Sequence, residues 1–195
     1  VAVVLVGCEP SNPAPSQTPN PRPFWETWLD NWRYGEKYSQ LLQAVPDSEL
    51  LMPVKGVRTQ QVADTFGAPR PGGRQHEGQD IFAPKGTPVY SATQGMVWRI
   101  GTGELGGLFV YVLGPGGRRY YYAHLDGYAE GLEEGQGVSP QTLLGYVGNT
   151  GNARTTPPHL HFGLYGNWRS DDARVIDPLS LLRNRDWNNF EALKN

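Results

Sequence analysis

The rhythm of apolar and polar residues changes near residue 51. Before it, "FWETWLDNWRYGEKYSQLLQAV" sets Trp25, Trp28, Leu29, Trp32, Leu41, Leu42 and Val45 near helical spacing, with acidic residues early and Pro46 as a stop. This predicts one amphipathic helix over 24–46, loosened around Gly35, whose aromatic stripe packs on the neighbouring domain. After it, "TPVYSATQGMVWRIG", "GLFVYVLG", "RRYYYAHLD", "TLLGYVGNTG" and "HLHFGLYG" are short β-rich runs punctuated by glycine. They predict a mainly β domain over 51–182, an antiparallel sheet of sandwich-like build with an open groove, followed by a C-terminal tail over 183–195. No repeat, coiled coil or internal membrane span interrupts the pattern.

Composition agrees: 25 glycines and 17 prolines in 195 residues favour strands and turns over a helical bundle. A net charge of -2 argues against nucleic acid as the main partner. The single cysteine excludes an internal disulfide, and its position is informative. Cys8 closes the apolar run 1–7, and residues 9–23 hold six prolines and almost no apolar side chain, a semi-extended tether that cannot build a core. "LVGC" resembles the lipobox of bacterial lipoproteins, which implies a signal remnant over 1–8, cleavage before Cys8, lipidation of that cysteine and attachment to a membrane. Glu9 after the cysteine implies, by analogy with sorting in diderm bacteria, the outer membrane facing the periplasm. The alternative is a buried free cysteine in an apolar strand.

Candidate chemistry begins at "RQHEGQDIFAPKGTPVY", residues 74–90. It is close to the helical zinc signature H-E-x-x-H, in which two histidines four apart share a helix face. Here Pro69, Pro71, Gly72 and Gly73 precede, Gly78 interrupts and Pro84, Gly86 and Pro88 follow, so a helix is excluded. In an extended chain positions 76, 78 and 80 share a face, so His76 and Asp80 converge while Glu77 points away. A surface histidine and a turn aspartate are the alternative for this stretch taken alone. The other histidines are His124, His159 and His161, and a strand puts the last two on one face about 7 Å apart. Alternation in "YYYAHL" puts Tyr120, Tyr122 and His124 together, which offers the two phenols as lining for a bound substrate, with packing tyrosines as the alternative.

Three separated motifs in order, His76-x-Gly78-x-Asp80, "YYAHL" around His124, and "GYVGNTGNARTTPPHLHFGLY" ending in His159-x-His161, resemble the LytM/lysostaphin-type zinc endopeptidases of peptidoglycan. The resemblance covers about residues 51–182, including "DPLSLL" at Asp177-Pro178. It implies that His76, Asp80 and His161 hold one zinc per chain, and that His124 and His159 are catalytic histidines. Three protein ligands leave a fourth position for water, as in catalytic zinc sites. No carboxylate base is spare, so the two imidazoles are left to take the proton and to stabilise the oxyanion, in either assignment. The family often carries Glu where this chain has Gly163, a departure outside the ligand set that bears on substrate contacts.

The function implied is hydrolysis of peptide cross-links in the bacterial cell wall, at a D-Ala to diaminopimelate bond or a glycine bridge. Two alternatives stand beside it: a catalytically silent member that binds the wall or activates another hydrolase, and a zinc peptidase acting on proteins. Silent members typically lose metal ligands, and this chain keeps all three.

Overall fold

The computed structural model describes residues 35–167 and 174–192. The signal remnant, the linker, Cys8 and the three tryptophans of the expected helix lie outside the described residues. Residues 35–43 are helical (α1), ending before Pro46. The strands that follow are β1 (Leu50–Leu51), β2 (Pro69–Arg70), β3 (Arg74–Gln75), β4 (Gln79–Phe82), β5 (Pro88–Tyr90), β6 (Gly95–Gly103) and β7 (Gly107–Leu113). Then come β8 (Arg119–Tyr128), β9 (Gly137–Val138), β10 (Leu143–Val147), β11 (His159–Tyr165), β12 (Val175–Ile176), β13 (Leu182–Arg183) and a last helix, α2 (Trp187–Ala192).

Nine strands form one antiparallel sheet whose main path is β12-β11-β8-β7-β6-β9. β4 pairs with the first half of β11, and β10 joins β5 to β8. Alternation divides the long strands into two faces. On β8 and β11 the pairs Tyr120↔Leu164 and Tyr122↔Phe162 face the core, while Arg119↔Tyr165, Tyr121↔Gly163 and Ala123↔His161 face the other way. The core face buries Ile81, Val97, Val110, Val112, Leu125, Leu144, Leu160, Phe162 and Leu164 completely. Each such aliphatic or aromatic side chain contributes about 1.5–3 kcal/mol by leaving water.

The segment after 182 is not a tail as far as Ala192. β13 pairs in parallel with β1, Arg185 is buried with its guanidinium on the carbonyls of Met52, Ser91 and Pro140, and Phe190 is buried against Tyr90. Local pattern could not announce this, because every partner is far away in sequence.

The expectation that Tyr120 and Tyr122 line a groove is corrected. Both are fully buried on the core face. The Tyr120 hydroxyl donates to Asp47 Oδ2 at 2.7 Å, and Ala92 N donates to the Tyr122 hydroxyl at 2.9 Å. Burial pushes the Tyr122 phenol up to about 12, so it stays neutral. Tyr122→Phe leaves the buried Ala92 N–H without its acceptor, so a denaturant melt should show a loss of about 1–3 kcal/mol. A phenol that served only as groove lining would leave the melt unchanged.

Candidate metal centre and its flanking histidines

The β4–β11 register sets Asp80 directly opposite His161 on the face away from the core. His76 comes from the extended residues just before β4, in agreement with the non-helical reading. The approach requires Gly78: a Cβ there would stand 2.6 Å from the Phe162 carbonyl oxygen and 2.8 Å from His161 Cε1. Three donor atoms then converge. His76 Nε2 lies 2.8 Å from His161 Nδ1 and 3.0 Å from Asp80 Oδ1, and His161 Nδ1 lies 3.2 Å from Asp80 Oδ1.

This triangle fits a metal ion. A tetrahedral first-row ion with bonds of about 2.0–2.1 Å needs ligand atoms roughly 3.3 Å apart, slightly wider than the observed edges. His76 Nδ1 donates to the Thr65 carbonyl at 2.7 Å, which leaves Nε2 as the bare, ligating nitrogen. Burial works against the Asp80 charge, but the neighbouring His161 and His76 rings and the Arg70 guanidinium outweigh it and hold the carboxyl below its usual range. The carboxylate therefore stays ionised, with one oxygen facing the histidines and the other engaged elsewhere.

That second oxygen accepts from Arg70 Nη2 at 2.7 Å. Sequence reasoning missed Arg70. It sits ten residues before Asp80 and returns only through the β2–β3 hairpin, and its one local signal is a cation beside the Pro-Gly-Gly turn. Gln79 was missed as well. Fully buried, it donates to Asp64 Oδ1 at 2.9 Å and Asp177 Oδ1 at 3.0 Å and accepts from Thr65 N at 2.9 Å. It thereby holds the loop whose Thr65 carbonyl orients His76.

His124 reaches the same face against the parity of its strand. Its φ is +61°, the only positive φ outside glycine among the described residues, and this bend turns the ring away from the core face of Tyr120 and Tyr122. The conformation is held by His124 N donating to Gly106 O at 2.7 Å and by Nδ1 on Thr150 O at 2.9 Å. His159 Nδ1 likewise donates to Pro157 O at 2.8 Å, and its Nε2 stands 3.7 Å from Asp80 Oδ1. In both rings Nε2 is the basic nitrogen. The His124 ring lies 5.0 Å from His159 and 5.9 Å from His161 by centroids. Burial, then the neighbouring His159 and His161, push His124 down to about 4, so it is neutral at pH 7 and able to accept a proton.

Glu77 is exposed and stands outside the triangle, near the Tyr165 hydroxyl. The hairpin tip near 105 and the loop near 152 touch through Asn152 N donating to Leu105 O at 3.1 Å.

A largely buried trio of two histidines and an aspartate, with two more imidazoles beside it, is the donor set of a metal-dependent hydrolase. Comparison with known proteins extends this to a family. Residues 74–177 match Peptidase family M23, and the chain belongs to that family. It is 39% identical over 132 residues to an L-Ala–D-Glu endopeptidase of Bacillus subtilis, covering 63% of this chain and 39% of that protein. It is 30% identical over 104 residues to the peptidoglycan DD-endopeptidase ShyC of Vibrio cholerae, covering 53% of this chain and 23% of that one. The chain thus spans less than half the length of these two relatives. Among solved structures, a zinc containing peptidase from Vibrio cholerae superposes with a TM-score of 0.54 at 27% identity, covering 70% of this chain and 40% of that one.

Removing a partner that orients a metal-bound carboxylate typically weakens metal binding by about 10–100-fold. Arg70→Gln should show a loss of this size in competition with a chromophoric chelator, with the far-UV spectrum of the wild type. Unchanged affinity would remove Arg70 from the site.

Proposed function

We propose that this chain is a zinc endopeptidase acting on the peptides of bacterial peptidoglycan, with His76, Asp80 and His161 as the zinc ligands and His124 and His159 as the catalytic histidines. The observation that carries the reading is the convergence of His76 Nε2, Asp80 Oδ1 and His161 Nδ1 beside two imidazoles with fixed tautomers. The named activities of the Bacillus subtilis and Vibrio cholerae relatives supply the substrate class.

Zinc bound there supplies a Lewis acid for the scissile carbonyl and lowers the pKa of its water to about 7. The protein's own groups do the rest. One of the two bare Nε2 atoms takes the proton of the attacking water, and the other, once protonated, donates to the developing oxyanion or to the leaving amine. The two roles need opposite protonation states at adjacent rings. Burial, and then the closeness of His159 and His161, favours a neutral His124 at the start.

Within peptidoglycan, the cross-link between D-Ala and diaminopimelate is the bond we assign. The Bacillus subtilis relative favours a second reading, cleavage inside the stem between L-Ala and D-Glu. Digestion of purified cross-linked muropeptides, with the new termini identified by mass spectrometry, separates the two: dimers become intact stem monomers in the first case and lose the stem in the second. In the same assay His76→Ala, Asp80→Ala and His161→Ala should lose both metal and turnover. His124→Ala and His159→Ala should keep stoichiometric zinc and lose on the order of a hundredfold or more in rate. Full zinc in His161→Ala would overturn the ligand set.

We further propose that the protein works at the cell envelope, held by a lipid on Cys8; "LVGC" and the Pro-rich stretch that follows support this. In a polyproline-like state at about 3.1 Å per residue, the sequence 9–23 would reach roughly 45 Å. Expressed from its full-length gene, the protein should fractionate with membranes, and Cys8→Ser should release it or leave it unprocessed. A Cys8→Ser protein that is still cleaved and still membrane-bound would exclude the anchor.

A further inference from the structure

On the face that carries the histidines, the sheet also carries a run of aromatic rings. Tyr121 on β8 meets the His161 ring edge-on at 5.8 Å, stacks on Tyr111 of β7 at 4.4 Å, and Tyr111 in turn meets Trp98 of β6 at 6.0 Å. Gly163 puts no side chain into this row. A Cβ there would stand 3.2 Å from Tyr165 Cε2 and 3.4 Å from Tyr121 Cβ, so its absence leaves the floor between those two rings open. The result is a shelf that starts at a candidate ligand and runs across three neighbouring strands.

At the far side of the shelf stands Arg119. Its guanidinium carbon lies 5.7 Å from the Trp98 ring centre and 5.6 Å from that of Tyr165, and its Nε is buried without a hydrogen-bond partner. Among the described residues no carboxylate pairs with it. Glu77, an acid beside the shelf, lies near the Tyr165 hydroxyl instead. Two aromatic faces hold the planar cation in place, which lowers the ordering cost of a planar two-point grip on an anion. Arg119 is on the same strand face as Ala123, the partner of His161, and four positions away, or about 14 Å at 3.4 Å per residue. This is the span of about four residues of an extended peptide.

We propose that Arg119, clamped by Trp98 and Tyr165, is a specificity-determining residue that binds a free carboxylate of the substrate peptide lying along this aromatic shelf. The inference rests on the peptidase reading above. Ahead of their C-terminal D-Ala, stem peptides present such a carboxylate in two places, on D-Glu and on diaminopimelate, and either one can be blocked by amidation. An enzyme reading it separates the acid from the amide form, because an amide offers the guanidinium no charge.

The test uses two pairs of synthetic stem peptides, one amidated or not at D-Glu, the other amidated or not at diaminopimelate. Binding to the metal-stripped protein, where no turnover occurs, is followed by chemical-shift titration of the Trp98 indole N–H. Hydrolysis by the zinc-loaded protein is followed as kcat/KM. One pair should show roughly tenfold or greater preference for the carboxylate in Kd, as expected for a charge-assisted hydrogen bond. Arg119→Met, which keeps the stem between the rings, should reduce that preference to below about twofold, and Arg119→Lys should retain part of it. Equal Kd values for acid and amide in both pairs, or a preference that survives in Arg119→Met, would overturn the proposal. If the peptidase reading alone fails, the Kd preference stands without hydrolysis; if the Arg119 assignment alone fails, hydrolysis proceeds without discrimination.

Discussion

The pairing of β4 with β11, which sets Asp80 opposite His161, is the contact on which the site depends. Side chains alternate along a strand, so a slip of one residue would send His159 and His161 into the core and Phe162 into the groove. What prevents the slip is on the other face. Ile81, Leu160, Phe162 and Leu164 are fully buried there, and each would forfeit about 1.5–3 kcal/mol on exposure. The register is therefore enforced by apolar burial, and the polar side inherits its geometry. Gly78 then allows the arm that bears His76 to close over the His161 ring.

Backbone carbonyls assign the tautomers. His76, His124 and His159 each give Nδ1–H to a carbonyl, of Thr65, Thr150 and Pro157, and each keeps Nε2 bare. His161 differs, presenting Nδ1 to the cluster. Crowding these acceptors around one carboxylate oxygen is unfavourable without a cation between them. Arg70 offsets only the outer oxygen of Asp80. A bound divalent ion would remove the remaining conflict, so metal binding and local stability are linked here.

The same physics separates what could be read from the sequence and what could not. His76, Asp80 and the His159-x-His161 pair were legible because each depends on local rules: proline and glycine exclude the helix, and strand parity puts alternate residues together. The tyrosines were misjudged for one reason. Parity was counted from His124, the residue that breaks it. Counted instead from His161 through its partner Ala123, parity selects Arg119 and Tyr121 for the open face and sends Tyr120 and Tyr122 inward. Arg70, Thr65 and Gln79 were silent because their contacts arise from a hairpin and from Asp177, which only the folded chain brings near. The closing strand β13 was hidden likewise, since its partner β1 lies at the opposite end of the domain.

The bend at His124 shows how the sheet reconciles a core with the face that carries the histidines. A left-handed conformation at a non-glycine residue costs on the order of 1–3 kcal/mol and persists only where its surroundings over-determine it. Here they do. Its N–H is bonded to Gly106 O, its Nδ1 to Thr150 O, and Thr150 Oγ1 ties Leu125 O to Leu108 N, bracing the hairpin against the strand on either side of the bend. Glycine at 124 would relieve the strain and lose the imidazole. An unstrained histidine would keep the ring but bury it beside Tyr122. The strained residue leaves Tyr122 in the core and puts a neutral imidazole beside the candidate metal ligands, so the strain is tied to the geometry of the site and not to the stability of the fold.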